Sequence, residues 1–181
     1  MPKIIENIRE KLLEEARRQV MQNGYSSMTI RSVAKACGAS VGTVYNYFSS
    51  KDMLVASFML EDWKKCLHKL YADCDNEAIS MEQLLTCICD VLADFTAKYT
   101  VLFQDKSAGA SFATDLQGRH RLLRSQISEP ILKVLRRKES MCRKSQVSLE
   151  FLSEFLAENV LTWTVAGRNR EEIVSILLSV L

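Results

Sequence analysis

The sequence predicts an all-α fold of about nine helices. Three observations carry that expectation. Apolar residues recur three and four apart almost throughout, and no stretch sustains the alternation of a strand. Chain breakers are scarce, with 2 prolines and 6 glycines in 181 residues. Short polar residues stand where helices should begin, and glycines where they should end.

The first helix is expected over about Lys3 to Asn23, where Ile4, Ile8, Leu12, Ala16 and Val20 share one face. Gly24 stops it. Thr29 caps a second helix, Ile30 to Ala36. Cys37-Gly38-Ala39 makes a turn in which Gly38 can take positive φ. Ser40 caps a third, very short helix ending near Tyr47, and a fourth starts after Ser49-Ser50. Ser80-Met81-Glu82-Gln83 reads as a capping box opening the fifth. Residues 99–114 look less regular. A helix over about Leu116 to Lys138 contains Pro130, which should kink or split it. Two more are expected, at 148–166 and about Arg170 to Leu181, the last apolar on nearly every side.

Composition narrows the class. Hydrophobic residues make up 48%, enough for a core. No apolar run reaches the length of about 18 residues needed to span a membrane. The Met-Pro-Lys start lacks a signal peptide's apolar segment, so a soluble cytoplasmic protein is expected. Without a secretory context the six cysteines read as small apolar core residues rather than disulfides. Cys66 and His68, two apart on a helix, point to different faces, and no CxxC pair occurs. No metal, cofactor or catalytic constellation is expected. Through Lys51 there are eight basic residues against four acidic, a +4 head on a body of −2, a balance that fits a polyanionic partner.

The informative stretch is Thr29 to Leu54, TIRSVAKACGASVGTVYNYFSSKDML. Two short helices joined by a Gly-containing turn have helix-turn-helix geometry, and the helix after the turn enters the major groove of DNA. Residues facing the groove must be short or flat, which Gly42 and Thr43 are. Gly42 is otherwise a poor choice, costing about 1 kcal/mol against alanine inside a helix. Val33, Ala34, Val44 and Phe48 should pack inward. Lys51 is also odd, a cation in the first turn of a helix where the dipole disfavours it. A phosphate beside that helix end would explain it.

Over about residues 8–60 the chain resembles the TetR family of regulators, through Thr29, Val33-Ala34, Gly38, Ser40, Gly42-Thr43, Tyr45, Tyr47-Phe48, Lys51 and Leu54. The resemblance implies a DNA-binding domain over 1–50 and a helical effector-binding and dimerisation domain over 51–181. It implies DNA contacts at Thr29, Arg31, Ser40, Val41, Gly42, Thr43, Tyr45, Tyr47 and Lys51, with the tyrosines at phosphates or base edges and Lys51 at a phosphate. It further implies a pocket for a small-molecule effector, for which the candidates are Met59, Trp63, Phe95, Tyr99, Phe103 and Phe112. Dimerisation through the last two helices is implied too, with Phe155, Trp163, Ile173, Leu177 and Val180 at the interface. The sequence supports the dimer on its own, since the final helix needs burial on more than one side. The nine basic residues against two acidic between 119 and 144 would suit an acidic effector, nearby DNA or a solvated face.

The reading is therefore a cytoplasmic repressor that binds a palindromic double-stranded DNA operator as a homodimer and is released by an effector. Two other classes fit the sequence less well. An adaptor on the same fold would not need Arg31, Gly42, Thr43, Tyr47 and Lys51 together. An enzyme would need an acid, base or nucleophile set that the sequence does not display.

Overall fold

The computed structural model describes residues 6–104, 116–137 and 147–181. Among them are eight helices and no strand: α1 Ile8–Asn23, α2 Ile30–Ala36, α3 Val41–Tyr47, α4 Lys51–Asp75, α5 Met81–Gln104, α6 Leu116–Arg137, α7 Leu149–Val165 and α8 Arg170–Ser179. The count is eight rather than about nine. Pro130 does not divide α6, which runs unbroken through it. A proline cannot donate to the carbonyl four residues back. That carbonyl, of Gln126, accepts the Tyr71 hydroxyl at 3.0 Å, so it keeps a donor from α4. The stretch after residue 99 is also more regular than expected, because α5 continues to Gln104. The last helix ends at Ser179, two residues early.

The described residues fall into two compact units. One belongs to Met1–Trp63 and Tyr99–Thr114, the other to Lys64–Lys98 and Asp115–Leu181. Helices α4 and α5 contribute to both.

In the first unit, the α1 stripe Ile8, Leu12, Ala16 and Val20 is buried, as its spacing requires. Val33, Ala34, Val44 and Phe48 join it. Full burial of each such leucine or phenylalanine is worth about 1.5–3 kcal/mol. A buried polar cluster ties three helices together. The Arg17 guanidinium pairs with Asp62 at 3.0 Å, and Tyr99 donates to the other Asp62 oxygen at 2.6 Å. Tyr99 is fully buried and stacks on Phe58 with ring centres 6.3 Å apart. Burial, and then the neighbouring carboxylate, push the Tyr99 hydroxyl well above its ordinary pKa.

In the second unit, α6 and α7 pack along one another and α8 packs on α7. Ile127, Ile131, Val134, Leu156, Val160 and Leu177 are buried there. Ion pairs run along the outside, Arg136–Glu150 at 3.0 Å and Arg124–Glu158 at 3.8 Å, and His120 Nε2 lies 3.5 Å from Glu158. Cys74 and Cys89 are buried, whereas Cys37, Cys66 and Cys87 are half-buried free thiols. Cys142 lies outside the described residues.

Candidate nucleic-acid interface

Helices α2 and α3 owe their relative placement to three local devices. The Thr29 side chain accepts from the Ser32 amide at 3.0 Å while Ser32 Oγ accepts from the Thr29 amide at 3.1 Å, a reciprocal cap. Gly38 at φ 64 ends α2, with its amide on the Lys35 carbonyl and the Ala39 amide on the Ala34 carbonyl at 2.9 Å. That double bond is the Schellman closure, which needs a left-handed residue. Ser40 Oγ then accepts from the Thr43 amide at 3.0 Å and opens α3. A buried contact joins α2 to α1, where Ser32 Oγ meets Gln19 Oε1 at 2.6 Å.

The seven residues of α3 bury only Val44, and Phe48 follows as the second inward residue. The rest of the helix faces out. Val41, Tyr45 and Tyr47 are 37%, 53% and 47% exposed, and Gly42 and Asn46 are exposed as well. Gly42 has ordinary helical backbone. A Cβ placed there would meet only Ser40 Oγ, at 3.7 Å. Nothing inside the fold therefore requires glycine at this point. Its helix-weakening cost of about 1 kcal/mol has no explanation within the described structure.

The other expected contact residues divide into two groups. Arg31 is exposed near the start of α2, with Lys35 one turn on, and neither makes an ion pair among the described residues. Thr29, Ser40 and Thr43 use their hydroxyls locally, the last two 2.8 Å apart. Lys51 has an internal explanation that the sequence did not suggest. Its ammonium donates to the Tyr25 carbonyl at 2.5 Å and lies 4.0 Å from the centre of the Tyr25 ring. A carbonyl and an aromatic face account for a cation at the start of α4 without any phosphate. The Tyr25 hydroxyl bonds Asp52 in turn, so the first turn of α4 is fastened to the loop after α1. Asn46, exposed between two tyrosines, is a candidate that the sequence reading passed over.

The surplus of positive charge in the head is smaller than its composition implied. Arg9 pairs with Glu61 at 2.8 Å and Arg17 with Asp62 at 3.0 Å, both acids beyond Lys51, while Arg18 pairs with Glu15 at 2.6 Å inside that balance. The Arg18 hydrogen bond holds the Glu15 carboxyl below its ordinary pKa. Much of the basic stretch 119–144 is likewise engaged. Arg124 and Arg136 pair with glutamates of α7, and Arg137 donates to the Cys74 carbonyl at 2.9 Å, near the end of α4. Lys138, Arg143 and Lys144 lie outside the described residues.

The expected effector residues are spread over both units, and the expected dimer residues belong to the second. Met59, Trp63 and Tyr99 belong to the first unit and Phe95 to the second. Trp63 is buried and Met59 half-buried. Phe112 lies outside the described residues, as does the side chain of Phe103. A cleft of about 410 Å³ in the second unit is lined instead by Lys69, Asp73, Glu82, Cys87, Asp90 and Asp94, among others. At the C-terminal end, Ile173 and Leu177 are 2% and 1% exposed, packed into their own chain's core and so closed to a partner. What remains outside is Phe151, Phe155, Val165, Ile176 and Val180. Trp163 is half-buried and lines a smaller cleft of about 190 Å³ with Arg168 and Ile176.

Comparison with known proteins agrees with the geometry of the head. Residues 12–58 match the family described as bacterial regulatory proteins, tetR family. The HTH-type transcriptional regulator UidR of Escherichia coli is 34% identical over 59 residues, 33% of this chain and 30% of that protein. The HTH-type transcriptional repressor AcnR of Corynebacterium glutamicum is 36% identical over 56 residues, 31% of this chain and 30% of that protein. The matched stretch thus spans under a third of either relative. Among solved structures, Thermus thermophilus FadR, a TetR-family transcriptional repressor in complex with lauroyl-CoA, superposes with a TM-score of 0.64. It is 20% identical, over 94% of this chain and 91% of the other, a likeness of fold. Among the described residues no helix is long and apolar enough to cross a membrane. Residues 12–58 thus resemble the head of the tetR family of bacterial regulatory proteins, and the chain as a whole shares the all-helical fold of the solved Thermus thermophilus repressor.

Proposed function

We propose that this chain is a transcriptional repressor that binds a palindromic operator as a homodimer and leaves it when a small molecule binds the body. The observation that carries DNA binding is Gly42, a glycine in an exposed helix where the fold has room for a side chain. Exposed Val41, Tyr45 and Tyr47 surround it, and the cations of Arg31 and Lys35 stand free on α2. A helix with a bare patch, flanked by phenols and cations, suits a groove walled by phosphates. Thr29, Ser40 and Thr43 shape the two helix starts, and Lys51 is fastened to Tyr25. We place the phosphate contacts at Arg31, Tyr45 and Tyr47 first, with Lys51 acting mainly by fixing the start of α4.

The dimer face of this proposal is the exposed apolar stripe of α7 and α8, Phe151, Phe155, Val165, Ile176 and Val180, rather than Ile173 and Leu177. Exposed apolar side chains on two packed helices favour pairing about a two-fold axis. That symmetry would set two α3 helices about 34–36 Å apart. Effector contacts remain proposed at Met59, Trp63, Phe95, Tyr99, Phe103 and Phe112. Lauroyl-CoA, held by the Thermus thermophilus repressor of the same fold, is the first probe to try.

The test is fluorescence anisotropy with the DNA flanking the protein's own gene, using the intact chain and Gly42→Glu. Salt-sensitive binding by the first and none by the second, with thermal stability no lower in the variant, is the expected result. Equal binding by both would remove α3 from the interface.

A further inference from the structure

We infer that Asn46 reads an adenine in each half of the operator; this rests on the proposed DNA-binding reading and names one of its specificity contacts. The first observation is a contrast among the asparagines beyond α1; Asn7 and Asn23, at the two ends of α1, also make no side-chain hydrogen bond among the described residues. Asn76 Oδ1 accepts from the Ala78 amide at 3.0 Å, Asn169 Oδ1 accepts from the Glu172 amide at 3.0 Å, and Asn159 Nδ2 donates to the Phe155 carbonyl at 2.7 Å. Each of these amides serves a turn, a helix cap or a helix backbone. The Asn46 amide is exposed and makes no hydrogen bond among the described residues. Asparagine is a weaker helix former than alanine, lysine or glutamate, so an exposed helix position with no local use for the amide gains nothing from it.

The second observation is position. Asn46 lies four residues after Gly42, hence on the same face of α3 and one turn along. With no Cβ at Gly42, that face can come close to a surface, and the next side chain along it is the first to reach in. Tyr45 and Tyr47, 53% and 47% exposed, flank it. The third consideration is chemical. A carboxamide offers one acceptor and a pair of donors side by side. In the major groove only adenine presents the matching pair, the N7 acceptor beside the N6 amino donor. A phosphate would use the donors alone and leave the acceptor idle.

The experiment is selection from a pool of random double-stranded DNA, followed by binding measurements, with the full chain, Asn46→Ala and Asn46→Asp. The unmodified chain should enrich a symmetric site with a fixed adenine in each half. Asn46→Ala should lose the preference at that position only. It should bind the site roughly five- to hundredfold more weakly while holding random DNA as before. Asn46→Asp, which can only accept, should shift the preference there toward cytosine. The inference is overturned if Asn46→Ala selects the same site, or weakens operator and random DNA alike, the mark of a phosphate contact. If the unmodified chain enriches nothing, the DNA-binding reading itself fails, and the inference with it.

Discussion

The outward faces of α3 and of the α6–α7 pair are both well exposed, yet they differ in what their side chains do. On α6 and α7 several exposed charges find partners within the chain, Arg136 with Glu150 and Arg124 with Glu158. On α3 the exposed Asn46 amide finds none, and Gly42 leaves open the space that a side chain could fill. Exposure alone is therefore uninformative. Exposure whose chemistry the fold leaves unused, at a conformational cost, is what marks a surface meant for a partner.

The strongest way to break this contrast is through the buried cluster beneath the head. Asp62→Ala would strand the Arg17 guanidinium, whose Nε already lacks a partner. The cost should be about 3 kcal/mol, the lower end for a broken buried pair, because Arg17 remains 23% exposed and can rehydrate. Urea unfolding would measure it. A loss below about 1 kcal/mol would mean that the cluster is not structural. Next in size is Gly42→Ala. It should stabilise the chain by up to about 1 kcal/mol, since the added Cβ meets only Ser40 Oγ at 3.7 Å, while weakening operator binding at least tenfold. A gain in stability with unchanged DNA affinity would leave the glycine without a role.

A third prediction concerns pH. Burial pushes the Tyr71 hydroxyl up to about 12 and the Cys74 thiol up to about 11, from ordinary values of 10.0 and 9.0. Both folded values are raised, so the folded state holds these protons more tightly. Their contribution is whole below pH 9 and is lost as pH rises toward 12. Thermal unfolding between pH 9 and 12 should show a falling midpoint, and Tyr71→Phe should flatten the part above pH 10. A midpoint that stays level would contradict the burial of these groups. The smallest effect belongs to the paired surface. Arg136→Ala, which breaks a pair 61% and 60% exposed, should change stability by under about 0.5 kcal/mol and leave DNA binding untouched. A tenfold drop in DNA affinity would show that the α6 charges serve the interface after all.

The head was legible because its signals are local. Thr29, Gly38 and Ser40 act within five residues of themselves, and spacing alone gave the inward positions of Val33, Val44 and Phe48. Lys51 was only half legible. Its misfit with the helix dipole was visible, but its remedy at Tyr25 lies 26 residues away and is not written in any local pattern. Pro130 misled for the same reason, since the donor that relieves the Gln126 carbonyl comes from Tyr71, 55 residues back. Ile173 and Leu177 were apolar enough to suggest an interface. Periodicity could not say which side of a helix apolar nearly all round would turn inward.

The placement of the two tryptophans has an optical consequence. Trp63 is buried in the unit that carries α3, and Trp163 is half-buried in the unit that carries α7 and α8. The chain holds only these 2 indoles, so each unit has its own fluorophore. Trp63 should emit toward the blue and resist aqueous quenchers, whereas Trp163, lining a cleft with Arg168, should emit redder and be quenched readily. In the Trp63→Phe protein, dilution through the dissociation range of the proposed dimer should redden the remaining emission. In the Trp163→Phe protein the same dilution should leave the colour unchanged. Unlabelled protein can thus report the state of its two halves separately by the colour of its own light.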